Sequence, residues 1–105
     1  MTRGEVYRVK LKRARGHVQR GPRLGVIVQA DEFLGLSTAI VAPTSQSALA
    51  ASFRPSIIVR GERTRVLVEQ LRAVDIAVLD ERVGHLSPSE QAAVDDALEL
   101  VLGLR

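Results

Sequence analysis

Apolar and polar residues alternate at the beginning of the chain. Tyr7, Val9 and Leu11 fall on one side of this alternation, and the other side is basic, with Arg8, Lys10 and Lys12. A period of two residues is typical of a β-strand with one buried face. The pattern therefore predicts a half-buried strand over residues 5–12 with a basic outer face.

Short apolar runs separated by turn residues continue as far as residue 79. Most are rich in β-branched side chains, which favours strands, and they cover residues 24–29, 39–42, 53–60, 66–71 and 73–79. Residues 31–38 have room for one helical turn, and Gly61-Glu62 is expected to form a hairpin turn. The chain is thus expected to contain about six short strands.

The hydrophobic period changes near the end of the chain. Ser87, Pro88 and Glu90 have the spacing of a capping box with proline at the first helical position, and Gly103 is placed to end a helix. The apolar residues between them recur at helical spacing and form one stripe: Val94, Ala97, Leu98, Val101 and Leu102. Because such a stripe must cover apolar surface, the sequence predicts one domain over residues 1–105, mainly β, with a C-terminal helix that closes an antiparallel β-barrel.

Residues 13–22 show neither the two-residue period of a strand nor the period of a helix. This segment contains two glycines, one proline, three arginines and His17. Glycine and proline favour loops, and loops carried on a rigid scaffold often hold binding residues. The segment is therefore the first functional candidate.

Composition excludes several classes of protein. The chain of 105 residues has no cysteine, so disulfides, thiolate catalysis and zinc sites with cysteine ligands are excluded. Its two histidines, His17 and His85, lie far apart, and we expect no metal or other cofactor. No run is apolar enough to cross a membrane, and no secretory signal begins the chain, so we expect a cytoplasmic protein.

Positive charge is concentrated at the front of the chain. Residues 1–25 contain eight Lys or Arg against one Glu, whereas the segment from residue 80 onward contains six acids against two arginines. A basic front indicates an anionic partner, of which nucleic acid is the most common, although a solvated surface gives the same pattern. Only three residues are aromatic, so an aromatic stacking platform is excluded, and arginine could take over contacts to bases and phosphates.

Several of these residues suit the cleavage of a phosphodiester. Attack of a ribose 2′-hydroxyl on the adjacent phosphate needs a base, a proton donor for the leaving oxygen, and groups that stabilise the charge on phosphorus. Arg23 could stabilise charge, Thr44 and Ser45 could bond phosphate oxygens, and His17 or Glu69 could transfer protons. The residues alone leave the base and the acid open, and an ion pair between Arg23 and Glu69 is the structural alternative. A serine hydrolase is excluded because no Gly-x-Ser-x-Gly motif is present.

Four segments together resemble the MazF/PemK/Kid family of toxins. They span nearly the whole chain and comprise Arg3–Tyr7, Gly16–Arg23, Thr44–Ser45 and Val68–Asp75. The resemblance implies an SH3-like barrel with a C-terminal helix, a homodimer, and metal-independent cleavage of single-stranded RNA that leaves a 2′,3′-cyclic phosphate and a 5′-hydroxyl. It also implies a cognate antitoxin whose acidic, disordered tail covers the basic RNA groove.

The resemblance also assigns residues. Arg23 matches the family arginine after the glycine loop, Thr44 matches the threonine of its Thr-Ser motif, and His17 matches a loop residue of some members; we expect these three to be catalytic. The expected RNA-binding residues are Arg15, Gln19, Arg20, Ser45 and Glu69. Three positions depart from the family pattern, namely Val18, Leu24 and Leu67, and two of them, Val18 and Leu67, leave the choice of base and acid open.

Two other functions remain as alternatives. A gyrase inhibitor resembling CcdB would act through an aromatic C-terminal tripeptide, but this chain ends in Gly103-Leu104-Arg105. A non-catalytic SH3-like RNA-binding module would use Arg23 and Thr44 for affinity alone. Substitution of Arg23 separates the ribonuclease from such a module.

Overall fold

The computed structural model describes residues 1–10 and 23–104, in which seven strands precede one α-helix. The strands are β1 (Glu5–Val9), β2 (Arg23–Ile27), β3 (Thr38–Ser45), β4 (Ser56–Val59), β5 (Glu62–Val66), β6 (Arg72–Asp75) and β7 (Leu79–His85); the helix is α1 (Pro88–Leu102). Short 3-10 helices lie at Asp31–Phe33, Val68–Gln70 and Ile76–Val78. The prediction of a mainly β fold with a C-terminal helix is confirmed, and the predicted helical turn at residues 31–38 is the first 3-10 helix.

All seven strands join one antiparallel sheet that curls into a half-barrel. The strand order is β4-β5-β3-β2-β1-β7, and β6 also pairs with β3. Strand β3 holds the sheet together because β2 runs along one edge while β5 and β6 share the other. The end of β3 therefore lies where β2 and β5 approach it from opposite sides.

The two faces of the sheet are buried by different clusters. One face, here called the helix face, carries Val26 and Ala42, which form one buried cluster with Val94 of α1. The opposite face, here called the outer face, carries Ile27 and Val41, which form a second buried cluster. Because successive side chains of a strand point to opposite faces, these residues fix the face of every other position on β2 and β3.

The ends of α1 are capped as predicted. The Ser87 hydroxyl accepts from the Glu90 backbone N–H, and the Glu90 carboxylate accepts from the Ser87 backbone N–H. Gly103 ends the helix with φ of 69°, a left-handed conformation that glycine adopts at little cost. The other Glu90 oxygen accepts from the backbone N–H of Ile58 at 2.8 Å, which ties the helix start to the edge strand β4.

The hairpin turn between β4 and β5 lies one residue earlier than predicted. Arg60 and Gly61, not Gly61 and Glu62, are its central residues, with φ of 49° and 81°. A two-residue turn with positive φ at both positions matches the right-handed twist of the strands, and glycine satisfies the second position. Glu62 instead begins β5, paired with Val59.

Strand β7 was not expected from the sequence. Its centre, Asp80, Glu81 and Arg82, is charged, so it lacks the apolar run that predicted the other strands. The strand is held against β1 by cross-strand pairing and by ion pairs such as that between Arg82 and Glu5. Charged side chains are typical of strands at a sheet edge.

The apolar stripe of α1 is covered over only part of its length. Val94, Ala97 and Leu98 are buried, whereas Val101 and Leu102 are 37% and 53% exposed. Within the described part of the chain, no helix combines the length and apolar character that a membrane span requires.

Candidate functional site

The expected site residues divide into two groups. Four of them, Arg15, His17, Gln19 and Arg20, lie in residues 11–22, outside the described residues. The other four, Arg23, Thr44, Ser45 and Glu69, are described. The structure therefore tests the placement of the second group.

Arg23 and Ser45 lie on the same face of neighbouring strands. Gly25 of β2 pairs with Pro43 of β3, and a Cβ on Gly25 would lie 3.5 Å from the Cβ of Val41 on the outer face. Arg23 is two residues before Gly25, and Ser45 is two residues after Pro43, so alternation places both on the outer face. Antiparallel pairing brings these two positions to the same end of the strand pair.

Thr44 lies on the other face. It is 8% exposed and pairs with Val66 of β5, whose side chain belongs to the cluster on the helix face. The backbones of Arg23 and Thr44 are thus close at the end of neighbouring strands, while their side chains start from opposite faces. Ser45 is the hydroxyl on the face of Arg23.

Ser45 is half-buried and bounded by polar neighbours. It pairs directly with Arg65 of β5, and its hydroxyl lies 3.3 Å from that of Ser47. Arg65 pairs in turn with Ser56 of β4. Sequence reasoning did not select Arg65; the alternation Arg63-Thr64-Arg65-Val66 was the available signal, since it predicts two arginines on one face.

Glu69 forms an ion pair with Arg54 rather than with Arg23. The Arg54 Nε donates to Glu69 Oε2 at 2.9 Å, and both side chains are about three-quarters buried. The second oxygen, Oε1, is buried and has no hydrogen-bond partner among the described residues. The structural alternative that paired Arg23 with Glu69 is therefore not formed, and Arg23 makes no ion pair with a described carboxylate.

Glu5 has a perturbed pKa. Burial raises the pKa of this carboxyl, but the hydrogen bond from the Thr2 backbone N–H and the positive charges of the amino terminus and Arg82 more than offset that effect. The net pKa lies below its ordinary value of 4.5. The Arg82 Nε donates to Glu5 Oε2 at 2.6 Å, so this group holds β1 against β7.

The end of β3 can bind an anion. A guanidinium offers a planar fork of donors that fits two phosphate oxygens, and a serine hydroxyl offers one more donor. Arg23 and Ser45 provide these groups on one face, with Arg65 on the far side of Ser45. The arrangement suits a phosphodiester, because its two non-bridging oxygens share one negative charge and accept hydrogen bonds from such donors.

Comparison with known sequences identifies the family. Residues 2–102 match the family described as PemK-like, MazF-like toxin of type II toxin-antitoxin system. The chain belongs to this family of toxins. Membership of this family accounts both for the half-barrel fold and for the four sequence segments that resemble the family.

Individual relatives agree with this assignment. The chain is 42% identical over 104 residues to a protein of Mycobacterium tuberculosis that is named as a candidate toxin, covering 97% of both chains. It is 33% identical over 109 residues to the endoribonuclease MazF of Staphylococcus epidermidis, covering 97% of this chain and 91% of the relative. A solved mycobacterial endoribonuclease in complex with its cognate antitoxin has the same fold, with a TM-score of 0.84, 18% identity and coverage of 100% of this chain and 97% of that one.

Proposed function

We propose that this toxin is a sequence-specific endoribonuclease that cleaves single-stranded RNA, whether mRNA, rRNA or tRNA, without a metal ion. Family membership and the MazF relative support the activity. The observation that carries the proposal is the uncompensated guanidinium of Arg23 at the strand end beside Ser45. An uncompensated arginine in this position is available to an anionic substrate.

The reaction is an internal transfer within the RNA. The 2′-hydroxyl gives its proton to a base, its oxygen attacks the adjacent phosphorus, and the bond from phosphorus to the 5′-oxygen breaks. The leaving 5′-oxygen takes up a proton, so the products are a 2′,3′-cyclic phosphate and a 5′-hydroxyl. No oxidant, reductant or metal enters this balance.

The resemblance gives the catalytic roles to Arg23, Thr44 and His17, and the register of the strands adds Ser45 as the hydroxyl on the face of Arg23. Arg23 stabilises the negative charge that grows on the phosphate oxygens, and His17 transfers protons near neutral pH, as base or as acid. A phosphate bound on the outer face at the end of β3 would contact the Ser45 hydroxyl. The Thr44 side chain starts from the helix face. Alternation thus favours Ser45 as the contact beside Arg23.

The remaining RNA contacts come from the basic front of the chain. Arg15, Gln19 and Arg20 are assigned to RNA binding, together with Glu69, which forms an ion pair with Arg54. An arginine-rich segment fits the phosphates of a single strand. We therefore propose RNA as the substrate of this toxin and the cytoplasm as its location.

Two protein partners complete the proposal. The cognate antitoxin covers the RNA-binding surface with an acidic segment, which the basic charge of residues 1–25 favours. A second copy of the chain binds the uncovered end of α1, where Leu102 and Leu104 line a groove together with Ile40 and Leu71. Apolar side chains that α1 presents without cover are typical of an interface.

Substitution of Arg23 tests the activity. We expect Arg23→Ala to reduce RNA cleavage by about 10²- to 10³-fold, the cost of losing one stabilising group in a transition state. Arg60→Ala is the matched control, because Arg60 lies in the exposed β4–β5 turn and pairs with Glu81. Full cleavage by Arg23→Ala, with the fold intact by circular dichroism, would show that Arg23 is not part of the site. RNA binding by the native protein without any cleavage would instead support the non-catalytic module.

A further inference from the structure

The described arginines fall into two groups by their partners. Five of the nine form an ion pair with a carboxylate: Arg3, Arg8, Arg54, Arg60 and Arg82. The other four make no ion pair within residues 1–10 and 23–104, namely Arg23, Arg63, Arg65 and Arg72. Their charge is compensated by no acid of the described chain.

The register places all four uncompensated arginines on the outer face. Arg23 is two residues before Gly25 on β2, so it lies on the same face as Gly25. Arg72 pairs directly with Val41, whose side chain is buried in the cluster on that face. Arg65 pairs with Ser45 on the same face. Arg63 is two residues earlier on β5 and shares the face of Arg65, as its exposure confirms.

Four neighbouring strands form a row of donors across the sheet. Ser56 of β4 pairs with Arg65 of β5, and Arg65 pairs with Ser45 of β3. Alternation from the Gly25–Pro43 pair adds Arg23 of β2 at the far side of Ser45. The row thus reads hydroxyl, guanidinium, hydroxyl, guanidinium.

The spacing of the row suits a nucleic-acid backbone. Neighbouring strands lie about 4.8 Å apart, so the Cα atoms of Arg23 and Arg65 lie about 10 Å apart on either side of Ser45. Both residues are half-buried, and the Arg65 Nη1 donates to the backbone oxygen of Arg54 at 3.4 Å, which leaves the other N–H groups of its guanidinium for a ligand. Two forks held at this distance can grip a phosphate and its neighbour along one strand.

Positive charges collected on one face create a potential that attracts an anion. Each uncompensated arginine repels the others, and an acidic residue on the same face would relieve this at little cost. An RNA strand supplies phosphates at regular intervals, and the hydroxyls of the row add donors to the same oxygens. The row favours RNA over an acidic protein segment because every nucleotide of an RNA strand carries one charged phosphate at a regular spacing.

We infer that Arg65, assisted by Arg63, binds the RNA backbone next to the scissile phosphate. This inference rests on the proposed ribonuclease function, and it adds a substrate-binding strand, β5, to a site otherwise built, among the described residues, from β2 and β3. The RNA crosses the sheet along the row from Arg23 to Ser56. Arg65 contacts substrate in binding and takes no part in proton transfer.

Binding of an uncleavable RNA tests this directly. A fluorescent oligonucleotide with 2′-O-methyl groups cannot supply the attacking hydroxyl, so anisotropy reports affinity alone. We expect Arg65→Gln to weaken binding about tenfold and Arg63→Gln less, as the removal of charge-assisted hydrogen bonds requires. The slope of log K against log salt should fall by about 0.7 for each phosphate that a variant no longer neutralises.

Matched variants separate charge from structure. Arg60→Gln, which removes an arginine already paired with Glu81, should bind as the native protein does. Arg65→Lys should retain the salt slope while losing part of the affinity, because it keeps the charge but not the fork. In cleavage assays with unmodified RNA, Arg65→Gln should raise KM and leave kcat nearly unchanged.

The outcomes distinguish this inference from the proposed function. A native protein that neither binds nor cleaves RNA contradicts the proposed function itself. A native protein that binds RNA, together with an Arg65→Gln variant that matches Arg60→Gln in affinity and salt slope, overturns the role of Arg65 alone. A variant that binds normally but shows a lower kcat overturns it as well. If Arg65→Gln binds a polyglutamate peptide more weakly than the native protein does, while its RNA binding is unchanged, the outer face binds an acidic protein instead of RNA.

Discussion

Ser45 lies on the same face of the sheet as Arg23, whereas Thr44 lies on the opposite face. This relationship predicts a difference between two small substitutions. Ser45→Ala should lower the kcat of RNA cleavage more than Thr44→Val, because only the first removes a donor beside the guanidinium. Valine keeps the shape of threonine and isolates the loss of the hydroxyl.

Single-turnover cleavage with saturating protein measures this difference. The free energy of unfolding of both variants must be compared as well, since Thr44 is buried whereas Ser45 is half-buried. Loss of cleavage in Thr44→Val with full activity in Ser45→Ala would place the phosphate on the other side of β3 and contradict the assignment by face.

The lowered pKa of Glu5 predicts how stability depends on pH. Since the folded pKa lies below the unfolded value, the ionised carboxylate stabilises the fold above about pH 4.5, and this stabilisation is lost as pH falls through the folded pKa. Glu5→Gln should therefore cost about 2 kcal/mol at pH 7, the scale of hydrogen bonds to a charged group. The difference from the native protein should shrink towards pH 3.

Urea unfolding between pH 3 and pH 8 tests this prediction. Glu81→Gln is the control, because Glu81 lies on the neighbouring strand and is more than half exposed. A difference between Glu5→Gln and the native protein that stays constant with pH would show that the Glu5 charge does not stabilise the fold.

Glu90 connects two elements, and its removal should cost more than the loss of the helix cap alone. Ser87→Ala removes one capping bond and should cost about 1 kcal/mol. Glu90→Ala releases the backbone N–H groups of both Ser87 and Ile58, and should cost about 2 kcal/mol. Ser89→Ala removes a hydroxyl that lies 3.2 Å from the Ser87 hydroxyl but caps no backbone group, and it should stay within about 0.5 kcal/mol of the native protein.

Chemical unfolding of the three variants under one set of conditions gives the order of their free energies of unfolding. Equal effects of Ser87→Ala and Glu90→Ala would mean that the bond to Ile58 adds nothing to stability.

The uncovered end of α1 predicts the assembly state. Leu102→Glu places a charge in the proposed interface, so we expect it to shift the protein from dimer to monomer at micromolar concentration. Leu49→Glu makes the same chemical change at a residue that is 81% exposed, in the segment between β3 and β4, and should leave the dimer intact. Sedimentation equilibrium measures the molar mass of the native protein and of both variants. A monomeric native protein, or a dimeric Leu102→Glu, would contradict this interface.

The sequence predicted the parts of the fold that local physics determines. The capping box at Ser87 and the stop at Gly103 set the ends of α1 through bonds between near neighbours. The apolar runs predicted most strands because buried strands need them. The strand expected over residues 66–71 was wrong, since β5 ends at Val66 and Val68–Gln70 forms a 3-10 helix. Strand β7 could not be found in this way, since Glu81 and Arg82 are held by partners that only the folded sheet brings near.

The site was predicted in its residue types more than in its geometry. The family resemblance selected Arg23 and the Thr-Ser pair, and the structure brings these to the end of neighbouring strands. Which hydroxyl faces Arg23 depends on the register between β2 and β3, and a shift of one residue exchanges the two faces. The choice of Arg54 as partner of Glu69 likewise depends on the packing of distant segments.

The central claim is that this toxin cleaves RNA by attack of the 2′-hydroxyl without a metal ion. Incubation of a long single-stranded RNA with the purified protein in excess chelator, followed by analysis of the product ends, tests it most directly. We predict a 2′,3′-cyclic phosphate on one product and a 5′-hydroxyl on the other, with loss of both in Arg23→Ala. A 5′-phosphate, or cleavage that appears only when Mg²⁺ is restored, would contradict the claim.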